Sequence, residues 1–124
     1  MHVSRARFES FAEDAFADIP DRFRKLLVNV SLEVRLTPGP EAGKWNGSDS
    51  LLGLYSGLSR ADMLRTDAGS YLPARVILYQ RNLQRGCTNE AELETAIRTT
   101  VRHELAHHFG FSDAELKEKW PEGA

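Results

Sequence analysis

The chain has 124 residues, of which 41% are hydrophobic and 27% are charged, and its formal net charge is −2. This length fits one globular core, so we predict a single domain over residues 1–124. The charge balance excludes the basic surplus typical of nucleic-acid binders, and Cys87, as the single cysteine, excludes an intrachain disulfide.

The first half of the chain predicts a helix and then a strand. Phenylalanines and alanines recur every three or four residues over Ser4–Asp18, which predicts an amphipathic helix that Pro20 ends. Apolar and polar residues alternate over Leu26–Leu36, which predicts a half-buried strand. Thr37–Ser50 is rich in proline, glycine and polar residues, so we expect a surface loop there.

The middle of the chain predicts two further strands. Leu51–Gly57 is short and apolar, and its glycines at 53 and 57 indicate a strand that another backbone approaches closely. Residues 58–73 give mixed signals and are read as a long loop. Ala74–Asn82 is apolar at its centre on both faces, which favours a second well-buried strand.

Two helix starts follow. Asn89-x-x-Glu92 resembles a capping box and predicts the start of a helix that continues to about residue 109. Ser112-x-x-Glu115 is a second such box, and the short helix it starts ends at Trp120-Pro121.

The most informative stretch is His103-Glu104-x-x-His107-x-x-Gly110-x-x-Asp113. On a helix the two histidines differ by about 40° and about 6 Å of rise, so both imidazoles can bind one zinc ion. Glu104 lies close enough on the same helix to act as a general base toward the metal's water. Gly110 can adopt a left-handed conformation and turn the chain back, which would let Asp113 supply a third ligand.

The pattern around the helix supports a functional role for Glu104. This residue falls inside the predicted apolar arc, whereas His103 and His107 lie at its edge. A carboxylate in an apolar arc is costly unless something there needs it, and a metal-bound water would. The arc consists of Leu93, Ile97, Val101 and Leu105.

The third ligand has competing interpretations. An acidic residue in the first turn of a helix, such as Asp113, is favourable without any metal. His108, Glu115 and Glu118 are rival ligands. His108 points toward the apolar stripe, so we interpret it as a buried, hydrogen-bonded structural histidine.

On these motifs, the chain resembles the small bacterial zincin-like metallopeptidases. The resemblance covers nearly the whole chain and implies an α+β minimal zincin-like fold: an N-terminal helix, a small twisted mixed β-sheet, the zinc helix and a short C-terminal helix. It implies one zinc ion held by His103, His107 and Asp113, with Glu104 as the general base of peptide-bond hydrolysis. It also implies an edge strand at 51–57 along which a peptide or protein substrate lies.

Two other functions stay open at this point. One is a non-catalytic or regulatory zinc-binding module, although structural zinc sites normally have four protein ligands and are rich in cysteine. The other is a metal-dependent endoribonuclease, because a ribosomal-RNA maturation family resembles the spacing of His103 and His107. That family lacks the glutamate and has a third histidine where this chain has Asp113.

The remaining expectations concern location and substrate contacts. The N-terminus lacks the apolar core of a signal peptide, and no apolar run approaches membrane-spanning length. We therefore expect a cytoplasmic protein without membrane or nucleic-acid partners. The sequence predicts no particular substrate-binding residue; Tyr55 and Tyr79 are candidate hydrogen-bond donors, although a packed tyrosine is favoured for each.

Overall fold

The computed structural model describes residues 1–65 and 73–121, with the side chain of Arg65 left out. Its helices and strands confirm the α+β fold class. The helices are α1 (Arg5–Ala17), α2 (Asp21–Arg24), α3 (Arg60–Arg65), α4 (Gln80–Arg85), α5 (Glu90–Phe109) and α6 (Asp113–Lys119), and a 3₁₀ helix spans Pro40–Trp45. The strands are β1 (Val30–Arg35), β2 (Gly53–Ser56) and β3 (Ala74–Tyr79).

The three strands form one mixed sheet in the order β1-β3-β2. β1 runs parallel to β3, with Val30 opposite Ala74, and β2 runs antiparallel to β3, with Gly53 opposite Leu78. The segment at 51–57 therefore contains an edge strand, as predicted, and the segment at 74–82 contains the central strand, which agrees with the burial predicted for it. Within the described residues, β3 is therefore the strand that pairs with β2.

The core lies between one face of the sheet and the two longest helices. α1 packs against α5 and β1, while α5 also contacts β2 and β3. The predicted apolar arc of α5 is confirmed, since its members are fully buried. The main cluster includes Phe8, Phe11, Ala12, Ala15, Val34, Val76, Leu78, Leu93, Ile97, Val101 and Leu105.

The first strand is shorter than the alternation predicted. β1 begins at Val30, because residues before it continue the turn of α2: Leu26 N–H donates to the Phe23 carbonyl at 2.9 Å. Asn29 then adopts a positive φ of 50°, which no extended strand contains. The helix α2 was not predicted, because four residues are too few to show a periodicity.

The central strand also ends earlier than predicted. β3 stops at Tyr79 and the chain continues directly into α4. Polar side chains of α4 find partners elsewhere in the chain: the Gln80 amide donates to the Val3 carbonyl at 3.2 Å, and the Asn82 amide to the Leu51 carbonyl at 2.8 Å. These long-range bonds stabilise a helix in a segment whose local pattern favours a strand.

The two predicted loops contain short helices. Residues 37–50 include the 3₁₀ helix, and the loop assigned to 58–73 contains α3 over Arg60–Arg65; residues 66–72 lie outside the described residues. Across residues 1–65 and 73–121, no helix combines the length and the apolar character needed to cross a membrane.

Candidate metal centre

The last two turns of α5 carry the metal-binding motif. α5 begins at the predicted cap, where the Asn89 side chain accepts a hydrogen bond from Glu92 N–H. The Glu92 carboxylate bonds Thr88 and not the cap, so the predicted capping box is half formed. The helix ends at Gly110, which has a left-handed conformation with φ 75° and ψ 22°, as predicted. These local signals fix the helix that presents the motif.

His103, Glu104 and His107 converge. Each offers a ligand atom, and these atoms all lie within 4.8 Å of one another. The two histidines are exposed and Glu104 is half-buried. The imidazole centroids are 5.9 Å apart, with 72° between the ring planes. Two imidazoles at this separation can bind one zinc ion. The Glu104 carboxylate lies close enough to reach a water molecule at an open position of that ion.

Glu104 is tied to the edge strand. Its Oε1 accepts a hydrogen bond from the Tyr55 backbone N–H at 2.9 Å. Tyr79 N–H donates to the Leu52 carbonyl across the sheet. In an antiparallel pair, the main-chain groups of successive residues point alternately toward the partner strand and away from it. The main-chain groups of Gly53 and Tyr55 therefore point away from β3. The partner predicted for a carboxylate in the apolar arc was a metal-bound water, whereas the partner observed for Oε1 of Glu104 is a strand amide.

Close approach between β2 and α5 requires glycine. A Cβ on Gly53 would lie 2.6 Å from the Thr100 methyl and 3.4 Å from Cγ of Glu104. A Cβ on Gly57, at φ 135°, would lie 2.9 Å from Cα of Ala74. The predicted close approach of another backbone is confirmed at Gly57, whereas at Gly53 the closest atom is a side-chain methyl of α5.

Asp113 is near the cluster but is not one of its three members. It is exposed at the first position of α6, where Ser112 and Glu115 form the predicted capping box. Asp113 and His103 line one cleft of about 240 Å³, together with Leu116 and Lys117. The chain thus brings Asp113 to the same side of the protein as His103, and its role as third ligand stays a prediction.

His108 has the structural role predicted for it. Its side chain is fully buried, its Nε2 lies 3.2 Å from Val28 N, and its Nδ1 lies 2.9 Å from the Tyr55 hydroxyl. Burial, with a smaller contribution from the positive charge of Arg60, lowers the pKa of His108 to about 4. The ring is therefore neutral at physiological pH.

The two tyrosine hydroxyls have partners within the fold. Tyr55 donates to the Leu58 carbonyl, and burial raises its pKa to about 12. Tyr79 donates to Glu41 Oε2 at 2.8 Å, which attaches the loop at 37–50 to the sheet. The interpretation of both tyrosines as packed side chains is supported.

Cys87 is buried, and its Sγ donates to the Leu83 carbonyl. Burial raises the pKa of its thiol, which disfavours the thiolate that would bind a metal.

A second cleft of about 240 Å³ adjoins the motif on the side of β2, and three of its lining residues, Ser50, Thr99 and Thr100, were not predicted as site residues. A larger cleft of about 380 Å³ is lined by Met1, Leu36 and Arg81 among others and contains none of the motif residues, so volume alone does not locate the site. The β2 cleft is lined by Ser50, Leu51, Leu52, Gly53, Thr99, Thr100, His103 and Glu104. The glycine inside an apolar segment was the sequence signal for it.

Comparison with known proteins gives one finding on the family. The model of the zincin-like metallopeptidase family matches residues 27–121, which include all three strands, α5 and α6. No curated protein matches the chain.

Proposed function

The chain belongs to the zincin-like metallopeptidase family, and from this premise we propose that it hydrolyses peptide bonds with one zinc ion per chain and with Glu104 as the general base. The observation that carries the proposal is the convergence of His103, Glu104 and His107 beside a cleft, with the carboxylate held by the edge strand. A histidine pair that bound metal only for structure would not need a glutamate fixed in this way.

The donor set supports zinc. His103 and His107 would bind the ion through imidazole nitrogens, and we propose Asp113 as the third protein ligand. When bound, zinc would supply a Lewis acid that polarises the scissile carbonyl and lowers the pKa of a water molecule to about 7. Three protein ligands leave a position for water, which is typical of catalytic and not of structural zinc sites.

Glu104 would move the proton. Its Oε1 is engaged by Tyr55 N–H, so we assign Oε2 to the water. The carboxylate accepts the proton of the attacking water and then donates it to the leaving amine. Because Tyr55 N–H holds Oε1, the strand sets the position at which Oε2 of Glu104 would take up the proton.

The edge of β2 would orient the substrate. A peptide or a protein segment in extended conformation can pair with an exposed strand edge, as in β-augmentation. Since Tyr55 N–H is occupied by Glu104, the outward main-chain groups of Gly53 are the ones we assign to the substrate. A neighbouring substrate side chain then enters the cleft beside Leu52 and Thr99.

The test of this function is Glu104→Gln, with Glu94→Gln on the same helix as its matched control. We expect Glu104→Gln to bind zinc and to keep its fold, because Glu104 is not a ligand in this proposal. Its rate of peptide hydrolysis should fall about 10²–10⁴-fold. Digestion of a peptide library by zinc-loaded proteins, analysed by mass spectrometry, measures this. Glu94→Gln should cleave like wild type.

Four outcomes would contradict the proposal. Equal cleavage by wild type and Glu104→Gln would refute the general base. Full zinc occupancy in His103→Ala or His107→Ala would refute the metal site. Absence of cleavage by zinc-loaded wild type would favour a zinc-binding module, and RNA cleavage that persists in Glu104→Gln would favour a ribonuclease.

A further inference from the structure

Three side chains on α5 form a row beneath the edge strand. Thr100, Glu104 and His108 are spaced four residues apart, so they lie on one face of the helix. At one end of the row, the Thr100 methyl lies 2.6 Å from the position that a Cβ of Gly53 would take. Further along it, Glu104 and His108 both contact a single residue of β2, Tyr55.

Tyr55 holds both of these helix residues at once. Its backbone N–H donates to Glu104 Oε1 at 2.9 Å, and its hydroxyl lies 2.9 Å from His108 Nδ1. The two contacts join one strand residue to consecutive turns of the helix. The position of the amide above Glu104 therefore depends on the hydroxyl contact as well as on pairing within the sheet.

The hydrogen bonds around His108 have a definite direction. Val28 N–H donates to Nε2 at 3.2 Å, so Nε2 is the acceptor of a neutral ring. Nδ1 then carries the proton and donates to the Tyr55 oxygen. That oxygen donates its own proton to the Leu58 carbonyl. Each donor in this series of hydrogen bonds has one acceptor, and the His108 ring at its centre is fully buried.

We propose that Tyr55 and His108 are positioning residues for Glu104. The expected effect on the rate rests on the proposed function, whereas the effect on the orientation of Glu104 does not. The contact between the Tyr55 hydroxyl and His108, which we call the phenol clamp, holds the outward N–H of Tyr55 in place. This N–H in turn orients the Glu104 carboxylate. Because catalysis is sensitive to displacements of about 1 Å, loss of the clamp lowers the rate without removing a ligand or the base.

The structural consequence is tested by amide hydrogen exchange in metal-free protein. In Tyr55→Phe, we expect the amide at position 55 to exchange at least about tenfold faster, because its bond to Glu104 is no longer held. The amides at 54 and 56, which face β3, should keep their protection. Tyr79→Phe is the matched control, since it removes a buried hydroxyl bound to Glu41, and it should leave position 55 unchanged.

The catalytic consequence is tested by kinetics with zinc content measured. Tyr55→Phe should lower kcat about tenfold, with KM and zinc occupancy unchanged. Added to Glu104→Gln, it should cause no further loss, because a residue that acts through Glu104 has nothing left to position. A further tenfold loss in the double variant would show a general structural role and overturn the proposal.

A pair of His108 variants tests the direction of the bonds. The side-chain amide nitrogen of an asparagine falls near Nδ1, so His108→Asn keeps the donor to Tyr55, whereas the longer side chain in His108→Gln reaches the Nε2 position. We expect slow exchange at position 55 in His108→Asn and fast exchange in His108→Gln. Equal exchange in both, or wild-type exchange in Tyr55→Phe, would overturn the clamp. A wild type without peptidase activity would refute the proposed function and leave these exchange results interpretable.

Discussion

The carboxylate of Asp113 can serve either a metal ion or the helix it begins. Asp113→Asn removes the charge and keeps the size of the side chain. If Asp113 is the third ligand, zinc affinity should fall by more than the roughly 10–100-fold typical of changes to outer-shell partners. If it serves the helix dipole alone, unfolding free energy should fall by about 0.3–1 kcal/mol with affinity unchanged.

Competition with a zinc chelator measures that affinity. Glu118→Gln is the matched control, because Glu118 is also an exposed acidic residue of α6. Normal binding by Asp113→Asn, together with a defect in Glu118→Gln or in a Glu115 variant, would assign the third ligand elsewhere.

Burial of His108 makes stability depend on pH. The pKa of His108 in the folded protein is lowered to about 4, below its unfolded value of about 6.5. The neutral ring therefore contributes its full stability above pH 6.5. This contribution falls as the pH drops toward 4, because the unfolded chain binds the proton first.

Urea unfolding of metal-free protein between pH 7 and pH 4 tests this. Wild type should lose about 3 kcal/mol more than His108→Gln over that range. The variant shares the other titrating groups, so the difference between the two curves reports His108. Parallel curves would contradict the prediction.

At the scale of elements, the docking of β2 on α5 is controlled by Gly53. Gly53→Ala would place its Cβ 2.6 Å from the Thr100 methyl and 3.1 Å from the Ile77 carbonyl oxygen. Overpacking of this kind typically costs about 1–3 kcal/mol, so we expect a loss of that size in the free energy of unfolding. The strand should also move away from Glu104.

Two variants make this prediction specific. Thr100→Ser removes the methyl and keeps the hydroxyl that donates to the Ala96 carbonyl at 2.8 Å, so adding it to Gly53→Ala should recover part of the stability. Gly86→Ala is the control, because the nearest atom to its Cβ would be 4.0 Å away. Equal unfolding free energies for the two alanine variants would disprove the crowding.

At the scale of the whole molecule, an aromatic cluster joins the ends of the chain's helices. Phe23 of α2 stacks on Trp120 after α6, with ring centroids 4.7 Å apart. It also contacts Phe109 and Phe111, which flank the turn at Gly110. This cluster holds α6, and with it Asp113, against the end of α5.

Trp120→Ala should therefore affect both stability and metal binding. Trp120 is 2% exposed, and removal of such a ring typically costs about 3–5 kcal/mol. Zinc affinity should fall with it if Asp113 is a ligand. Trp45→Ala is the control, since Trp45 is 46% exposed, and urea unfolding should show a much smaller loss for it.

Local signals account for what the sequence alone determined. The spacing of His103, Glu104 and His107 lies within two turns of one helix, and the caps at Asn89 and Gly110 act on neighbouring residues. The resemblance carried by these residues gave the family and the α+β fold, and both are confirmed. The edge position of β2 followed from the same resemblance.

The tertiary structure decided what depends on distant partners. The strand predicted at 74–82 ended early because distant acceptors, such as the Leu51 carbonyl for Asn82, stabilise α4. The strand predicted at 26–36 began late, because the turn of α2 continues to Leu26. The amide that holds Glu104 comes from Tyr55, 49 residues earlier, and His108, one turn further along the same face of α5, contacts the same residue. Spacing along a helix fixes which side chains share a face, but only the packed sheet fixes which backbone groups meet them.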